Sequence, residues 1–153
     1  MAENVSAADL DLSRYIKPGD AIVVGQACGE PTTILEILYA QRAQLGGVSL
    51  FTGSSFSGLL KPDYADHIRF RSMGAIGALR SLTKTGALEI IPSHVGQLGR
   101  MIADGDIPCD VAIVQVSPPG PDGLYSPGLI GDYPLKAVKK ARTVIAEVNA
   151  QVP

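Results

Sequence analysis

Val111-Ala112-Ile113-Val114-Gln115-Val116 runs six residues without a charge, and Ser117-Pro118-Pro119-Gly120-Pro121-Asp122-Gly123 stops it at once. An apolar run of that length, closed by residues that cannot donate to a ladder, reads as a strand buried on both faces, as in a parallel sheet. Working outward, Ala21–Val24 reads the same way, Val48–Thr52 and Leu88–Ile91 read as further strands, and Thr143–Val148 follows as a last strand. Ile68–Ser72 alternates apolar and charged residues and so belongs near a sheet edge.

Helical patterns fill the spaces between these strands. One starts at Pro31, shows an apolar face of Ile34, Leu35, Leu38 and Tyr39, and ends at Gly46-Gly47. Ile76–Lys84 is closed by Gly86. Ser93 is a suitable N-cap for a helix reaching Ala103 and closing near Gly105. Tyr133–Arg142 is a fourth helix, and Asp9–Ile16 a short one before the first strand. The alternation predicts an α/β fold, a mostly parallel sheet with flanking helices, in one domain over residues 1–153. A parallel sheet wants both faces covered, and no helical pattern follows the final strand in this sequence.

Composition excludes several classes of function. Net charge is −2, with no stripe of Lys and Arg interleaved with aromatics, so nucleic acid is not an expected partner. The one basic run, Lys136–Arg142, contains alanines and a valine and reads as a helix face. No stretch approaches the roughly 18 apolar residues of a membrane span, and Met1–Ser13 lacks the apolar core of a signal peptide. Two isolated cysteines and two isolated histidines offer no zinc-type spacing. The expected setting is the cytoplasm. Charged residues make up only 18% of the chain, below the about 25% usual for soluble domains. Either some of this surface is covered by a domain or subunit, or the domain is simply well packed.

Three loops carry candidate chemistry. Gly25-Gln26-Ala27-Cys28-Gly29-Glu30-Pro31 joins a buried strand to a helix, the place where open α/β sheets bind ligands and where a helix start favours anions. It has neither the third glycine of a dinucleotide fingerprint nor the Lys-Ser/Thr of a phosphate loop, and a tight turn is the plainer reading. Ser72-Met73-Gly74-Ala75-Ile76-Gly77 again sets small residues after a strand, where close packing explains them equally well. The prolines after Gln115 make a rigid turn that either shapes a pocket or only reverses the chain. Cys28 has no base placed beside it by the sequence, so it reads as a small pocket residue rather than a nucleophile. Glu30 reads as an acid at a helix start. His67 and His94 read as surface or capping residues.

Taken together, three stretches resemble one family. They are Gly25–Pro31, Cys109–Pro119 with Asp122-Gly123, and Ile145-Ala146-Glu147-Val148-Asn149 with Val152-Pro153. The second is the specific one. The family is the acetyl-CoA hydrolase/transferase group, which includes 4-hydroxybutyrate, butyrate and succinate:acetate CoA-transferases. The resemblance covers about Gly19 to Pro153 and implies the NagB/RpiA/CoA-transferase-like N-terminal half of a longer, two-domain enzyme. In that family a glutamate of the C-terminal domain attacks the acyl-CoA thioester, and CoA passes through a glutamyl-CoA thioester to a carboxylate such as acetate. The CoA-binding glycine motif also lies in that domain. The resemblance therefore implies no catalytic residue in this chain and no covalently bound cofactor, with coenzyme A carried by an acyl-CoA substrate and a short carboxylic acid as the other substrate. It implies one wall of the acyl pocket, from Gln26, Ala27, Cys28, Ser72, Met73 and Gly74, with Ser54, Ser55 and Ser117 as further candidates. It also implies homo-oligomers. An acyl-CoA hydrolase of the same family and a non-catalytic ligand-binding α/β domain are the alternatives.

Overall fold

The computed structural model describes residues 3–153 and contains one six-stranded sheet, entirely parallel. In chain order its strands are β1 (Ala21–Val24), β2 (Val48–Phe51), β3 (Ile68–Ser72), β4 (Leu88–Ile90), β5 (Val111–Val116) and β6 (Thr143–Val148). Across the sheet the order is β4-β3-β2-β1-β5-β6. The chain therefore walks from β1 out to one edge, then returns to lay β5 on the other side of β1. Strand order reverses at the β1–β5 seam, so the loops after these two strands open away from each other at their carboxyl ends.

The helices are α1 (Thr32–Gln41), α2 (Leu79–Lys84), α3 (Val95–Asp104) and α4 (Tyr133–Lys140). Because alternate strand residues point to opposite faces, Ile22, Val24, Leu50, Phe70 and Ile113 pack on one side against Leu35 and Leu38 of α1 and Leu79 and Leu82 of α2. Val23, Phe51 and Ala112 face the other side, against Leu98 and Ile102 of α3 and Tyr133 and Ala137 of α4. The α/β reading and all six strands hold, and β5 and β6 have the predicted ends.

Three local expectations need correction. Residues 9–16 do not make one helix but contribute to two short 3-10 turns, Ala7–Asp9 and Leu12–Arg14, each started by a side-chain cap from Ser6 or Asp11. Asp11 competes for the backbone locally, which breaks the helix the apolar pattern suggested. α3 starts from His94, not Ser93; the Ser93 hydroxyl donates to the Ile91 carbonyl instead. The turn region before α2 extends to Ala78, because Ser55 takes the Ala78 N–H in a bridge to the neighbouring loop.

The starts of β1, β5 and β6 are held by one aspartate. Ala21 N donates to Asp110 Oδ2 at 2.8 Å and Asp110 N to the Ala21 carbonyl at 2.8 Å, while Arg142 N and Thr143 N both donate to the Asp110 carbonyl. Beside it lies an ion pair with a buried carboxylate and an exposed guanidinium: both terminal nitrogens of Arg142 meet Asp20, at 3.2 and 2.7 Å, and Lys17 N donates to Asp20 at 2.7 Å. Burial alone pushes the Asp20 carboxyl up, but Arg142 and the Lys17 N–H outweigh it and hold it below the ordinary carboxylate value. A carboxyl depressed in the folded state stabilises the fold above its unfolded pKa, about 3.9, and that contribution fades as pH falls through the lower folded value. We expect Asp20→Asn to cost on the order of 1–2 kcal/mol near neutral pH, moderated because Arg142 is partly solvated. Chemical denaturation from pH 7 to pH 3 should show the two proteins converging at the acid end. A constant difference across that range would assign the loss to packing.

Candidate functional site

Gly25 begins the loop after β1. Its backbone lies so close to the Gly29 carbonyl that a Cβ there would collide with it, which explains the spacing of the two glycines. Ala27 follows in a left-handed conformation, φ +52°, the one non-glycine positive φ among the described residues. Residues 27–29 then form a 3-10 turn into α1. Of the loop's side chains, Gln26 is buried, Ala27 half-buried and Cys28 exposed.

Gln26 points inward. Its amide nitrogen donates to Asp132 Oδ2, and its oxygen accepts the Ser54 hydroxyl at 3.2 Å. The next link is Gly53, where a Cβ would strike the Gln26 oxygen and the Tyr133 ring. Gly53 N donates to Tyr133 Oη at 2.9 Å, Tyr133 Oη donates to the Val24 carbonyl at 2.7 Å, and the Ser72 hydroxyl donates to the Gly53 carbonyl at 3.3 Å. Ser72 Oγ in turn accepts Gly74 N at 3.3 Å. Gln26, Ser54 and Ser72 thus belong to one buried polar network that ties together the carboxyl ends of β1, β2 and β3. Met73 packs against the α3/α4 side of the core, and Gly74 is half-buried beside it. Ser55 is buried and gives its carbonyl to Ala78 N at 2.7 Å. Ser117 is placed elsewhere: its hydroxyl donates to the Pro118 carbonyl and accepts Ser126 N, which closes the proline-rich turn.

Four residues that sequence reasoning did not select shape the same region. Glu30 is buried and does not serve its own helix; its carboxylate accepts Phe56 N at 2.9 Å and Ser57 N at 3.0 Å, and so holds the Gly/Ser loop after β2. Phe56 consequently projects into solvent, 65% exposed, from a fixed backbone. Glu147, on β6, accepts Ile34 N at 3.0 Å in the first turn of α1, where a carboxylate also complements the helix dipole. Asn149 Nδ2 donates to Gln115 Oε1 at 2.7 Å, and Gln115 Nε2 donates to the Cys28 carbonyl at 3.1 Å. A signal for Gln115 was present, since it is the one polar side chain in an otherwise apolar strand. The partners of Glu30 and Glu147 lie 26 and 113 residues away, which no local pattern reveals.

Beside this loop lies an open apolar cavity of about 430 Å3 on the α4 side of β5 and β6. Gly25, Gly29, Gln115, Val116, Tyr125 and Ile130 are among its walls. Among the described residues there is no cluster of His, Cys, Asp and Glu suited to a metal ion, and no helix long and apolar enough to cross a membrane. The half-buried Cys109 thiol is pushed up to about 11, chiefly by burial and then by Asp110, which leaves it a packing residue far from the loop. No base is bonded to Cys28, and His67 and His94 are exposed elsewhere. The arrangement presents shaped backbone at the carboxyl ends of the strands, but no nucleophile with an activating partner.

Comparison with known proteins now adds to this geometry. Residues 6–153 match the family model described as the acetyl-CoA hydrolase/transferase N-terminal domain. Over 149 residues the chain is 30% identical to the succinyl-CoA:cyclohexane-1-carboxylate CoA transferase of Geobacter metallireducens, covering 94% of this chain and 33% of that protein. It is 26% identical over 153 residues to the 4-hydroxybutyrate coenzyme A transferase of Clostridium kluyveri, covering 99% of this chain and 35% of that protein. Among solved structures, RipA from Yersinia pestis superimposes with a TM-score of 0.78 at 25% identity, covering 92% of this chain and 36% of that one. The 4-hydroxybutyrate CoA-transferase from Porphyromonas gingivalis gives 0.69 at 27%, covering 93% and 32%. The chain spans about a third of the length of the curated relatives it matches.

The Tyr133 hydroxyl is the pivot of the buried network, donating once and accepting once inside the core. Burial raises its pKa well above the ordinary phenol, so it stays protonated and able to donate. Tyr133→Phe leaves Gly53 N and the Val24 carbonyl without this partner. Urea denaturation should show a loss of about 1–3 kcal/mol, the cost of orphaned buried polar groups. A change below about 0.5 kcal/mol would mean that other groups satisfy them.

Proposed function

The chain belongs to the acetyl-CoA hydrolase/transferase family as its N-terminal domain, and on that premise we propose that it forms one wall of the acyl site of a CoA-transferase. The two curated relatives named above are CoA transferases by name, and those names specify succinyl-CoA:cyclohexane-1-carboxylate and 4-hydroxybutyrate as the reacting pair or substrate. The observation that carries the reading is the way the loops after β1 and β3 are built. Gln26, Ser54 and Ser72 lock them from behind, so that Ala27, Cys28, Met73 and Gly74 are what remains for a ligand to touch. The three buried side chains are then supports of the wall rather than its surface. Ser117 acts through its turn.

Chemistry in this proposal comes from the C-terminal portion that the longer relatives possess. A glutamate there attacks the thioester carbonyl; the C–S bond breaks and CoA leaves as thiolate, giving an acyl-glutamyl anhydride. The thiolate then attacks the glutamyl carbonyl, which releases the acyl group as a carboxylate and leaves a glutamyl-CoA thioester. A second carboxylate repeats the two steps in reverse and departs as its CoA ester. What this domain supplies is position: a preorganised acyl wall shortens the search for the reactive geometry and discriminates between acyl groups. Acyl-CoA and a short carboxylic acid are the substrates, the setting is the cytoplasm, and the assembled enzyme is a homo-oligomer.

Two results follow for assays of acyl-CoA with acetate. The purified 153-residue chain alone shows no turnover, because it lacks an activated carboxylate; measurable CoA transfer by it would overturn the division of labour. In a polypeptide that also carries the C-terminal portion, Met73→Ala changes the ratio of kcat/KM between short and branched acyl groups by about tenfold, the scale of one or two methylenes in an apolar pocket. Equal losses for every acyl group would remove Met73 from the wall.

A further inference from the structure

Ala27 is held in a conformation that an alanine adopts only when its surroundings over-determine it. Part of this hold is the loop's own backbone, where Gly29 N donates to the Gln26 carbonyl at 2.8 Å. Ala27 N meets the Ser54 carbonyl at 3.3 Å and Glu30 N meets the Ala27 carbonyl at 3.3 Å, both beyond the usual 2.9–3.0 Å. A second hold, on the Cys28 carbonyl, comes from side chains outside the loop. Gln115 projects from β5, a strand paired on both sides, and donates to the Cys28 carbonyl at 3.1 Å. Its own orientation is set by Asn149, which donates to Gln115 Oε1 at 2.7 Å. Asn149 is itself fixed in the turn after β6: its N–H donates to the Val116 carbonyl at 2.9 Å and its side-chain oxygen accepts Gln151 N at 2.9 Å.

An amide side chain suits the middle of such a relay. It accepts on one atom and donates on the other, so the Asn149 bond decides which end of Gln115 faces Cys28. We infer that Gln115 and Asn149 are positioning residues that hold the Ala27–Cys28 turn in its left-handed form, and that the turn after β6 thereby sets the acyl-facing loop two hydrogen bonds away. The inference rests on the proposal that this loop lines the acyl site. It adds a route by which anything that shifts residues 149–152 alters acyl selection without touching the ligand.

Amide hydrogen exchange by NMR on the 153-residue chain tests the relay without any need for activity. Gln115→Glu keeps the acceptor for Asn149 but removes the donor to Cys28. It should speed exchange at Gly29 and Glu30 at least tenfold and move the Ala27 carbon shifts away from their positive-φ values. Exchange at Val23, Leu50 and Ile113 should change less than twofold. Asn149→Ala, which leaves the donor but frees its orientation, should give a smaller rise, about threefold, at the same amides. Gln115→Asn, too short to reach, should behave as Gln115→Glu, whereas a merely structural role would loosen strands and loop alike. Unchanged loop exchange in Gln115→Glu, or an equal rise throughout β1 and β5, would overturn the inference. A loosened loop with unaltered acyl preference in the complete enzyme would instead sink the acyl-wall proposal and leave the relay standing.

Discussion

Everything in this domain depends on the pairing of β5 with β1. The seam is parallel, with Ile22, Val23 and Val24 opposite Val111, Ala112 and Ile113, and it lies inside the sheet, with β2 flanking β1 and β6 flanking β5. Burial on both faces demands an uninterrupted apolar run on each strand, and both supply one. Because β2 lies on the far side of β1, the chain leaves β1 in one direction and β5 in the other. The loop after β1 is thereby left accessible at the carboxyl end, with β5 close enough for Gln115 to reach it.

That geometry creates a problem which the polar residues solve. Three strand ends meet in a small space, and their backbone groups cannot all reach water or a ladder partner. Tyr133 takes the Val24 carbonyl and Gly53 N, Gln26 joins Ser54 to Asp132, and Ser72 joins Gly53 to Gly74. A buried network of this kind is stabilising when its members are satisfied and costly when one is removed. It also explains why residues that look like ligand contacts in the sequence lie behind the surface. Asp110, at the opposite, amino-terminal edge of the sheet, performs a comparable task for the starts of β1, β5 and β6.

The stretch that resembles the family most specifically now has a physical content for each polar member. Asp110 aligns the beginnings of β1, β5 and β6, Gln115 reaches the loop after β1, and Ser117 staples the turn that prevents β5 from running on. Glu147 and Asn149 extend the pattern into β6, where one caps α1 and the other orients Gln115. None of these groups is arranged as a nucleophile. They convert an apolar strand pair into a support of defined shape, which accords with a domain that positions a substrate while a longer polypeptide performs the reaction.

By itself the sequence determined the strands, the helical segments, the α/β class and the loops worth watching, because apolar periodicity and turn residues act over a few neighbours. The Val111–Val116 run and its proline stop were legible for that reason. It misjudged residues 9–16 and Ser93, where a side chain chose a nearby backbone group over the helix. Only the tertiary structure decided the strand order, and with it which loops share a site. It turned Gln26, Ser54 and Ser72 inward, gave Glu30 to the loop after the neighbouring strand β2, and joined Glu147 and Asn149 to groups that stand 113 and 34 residues from them. Hydrogen bonds of that span depend on where the sheet places two strands, and strand order is written in the sum of the packing rather than in any local stretch of residues.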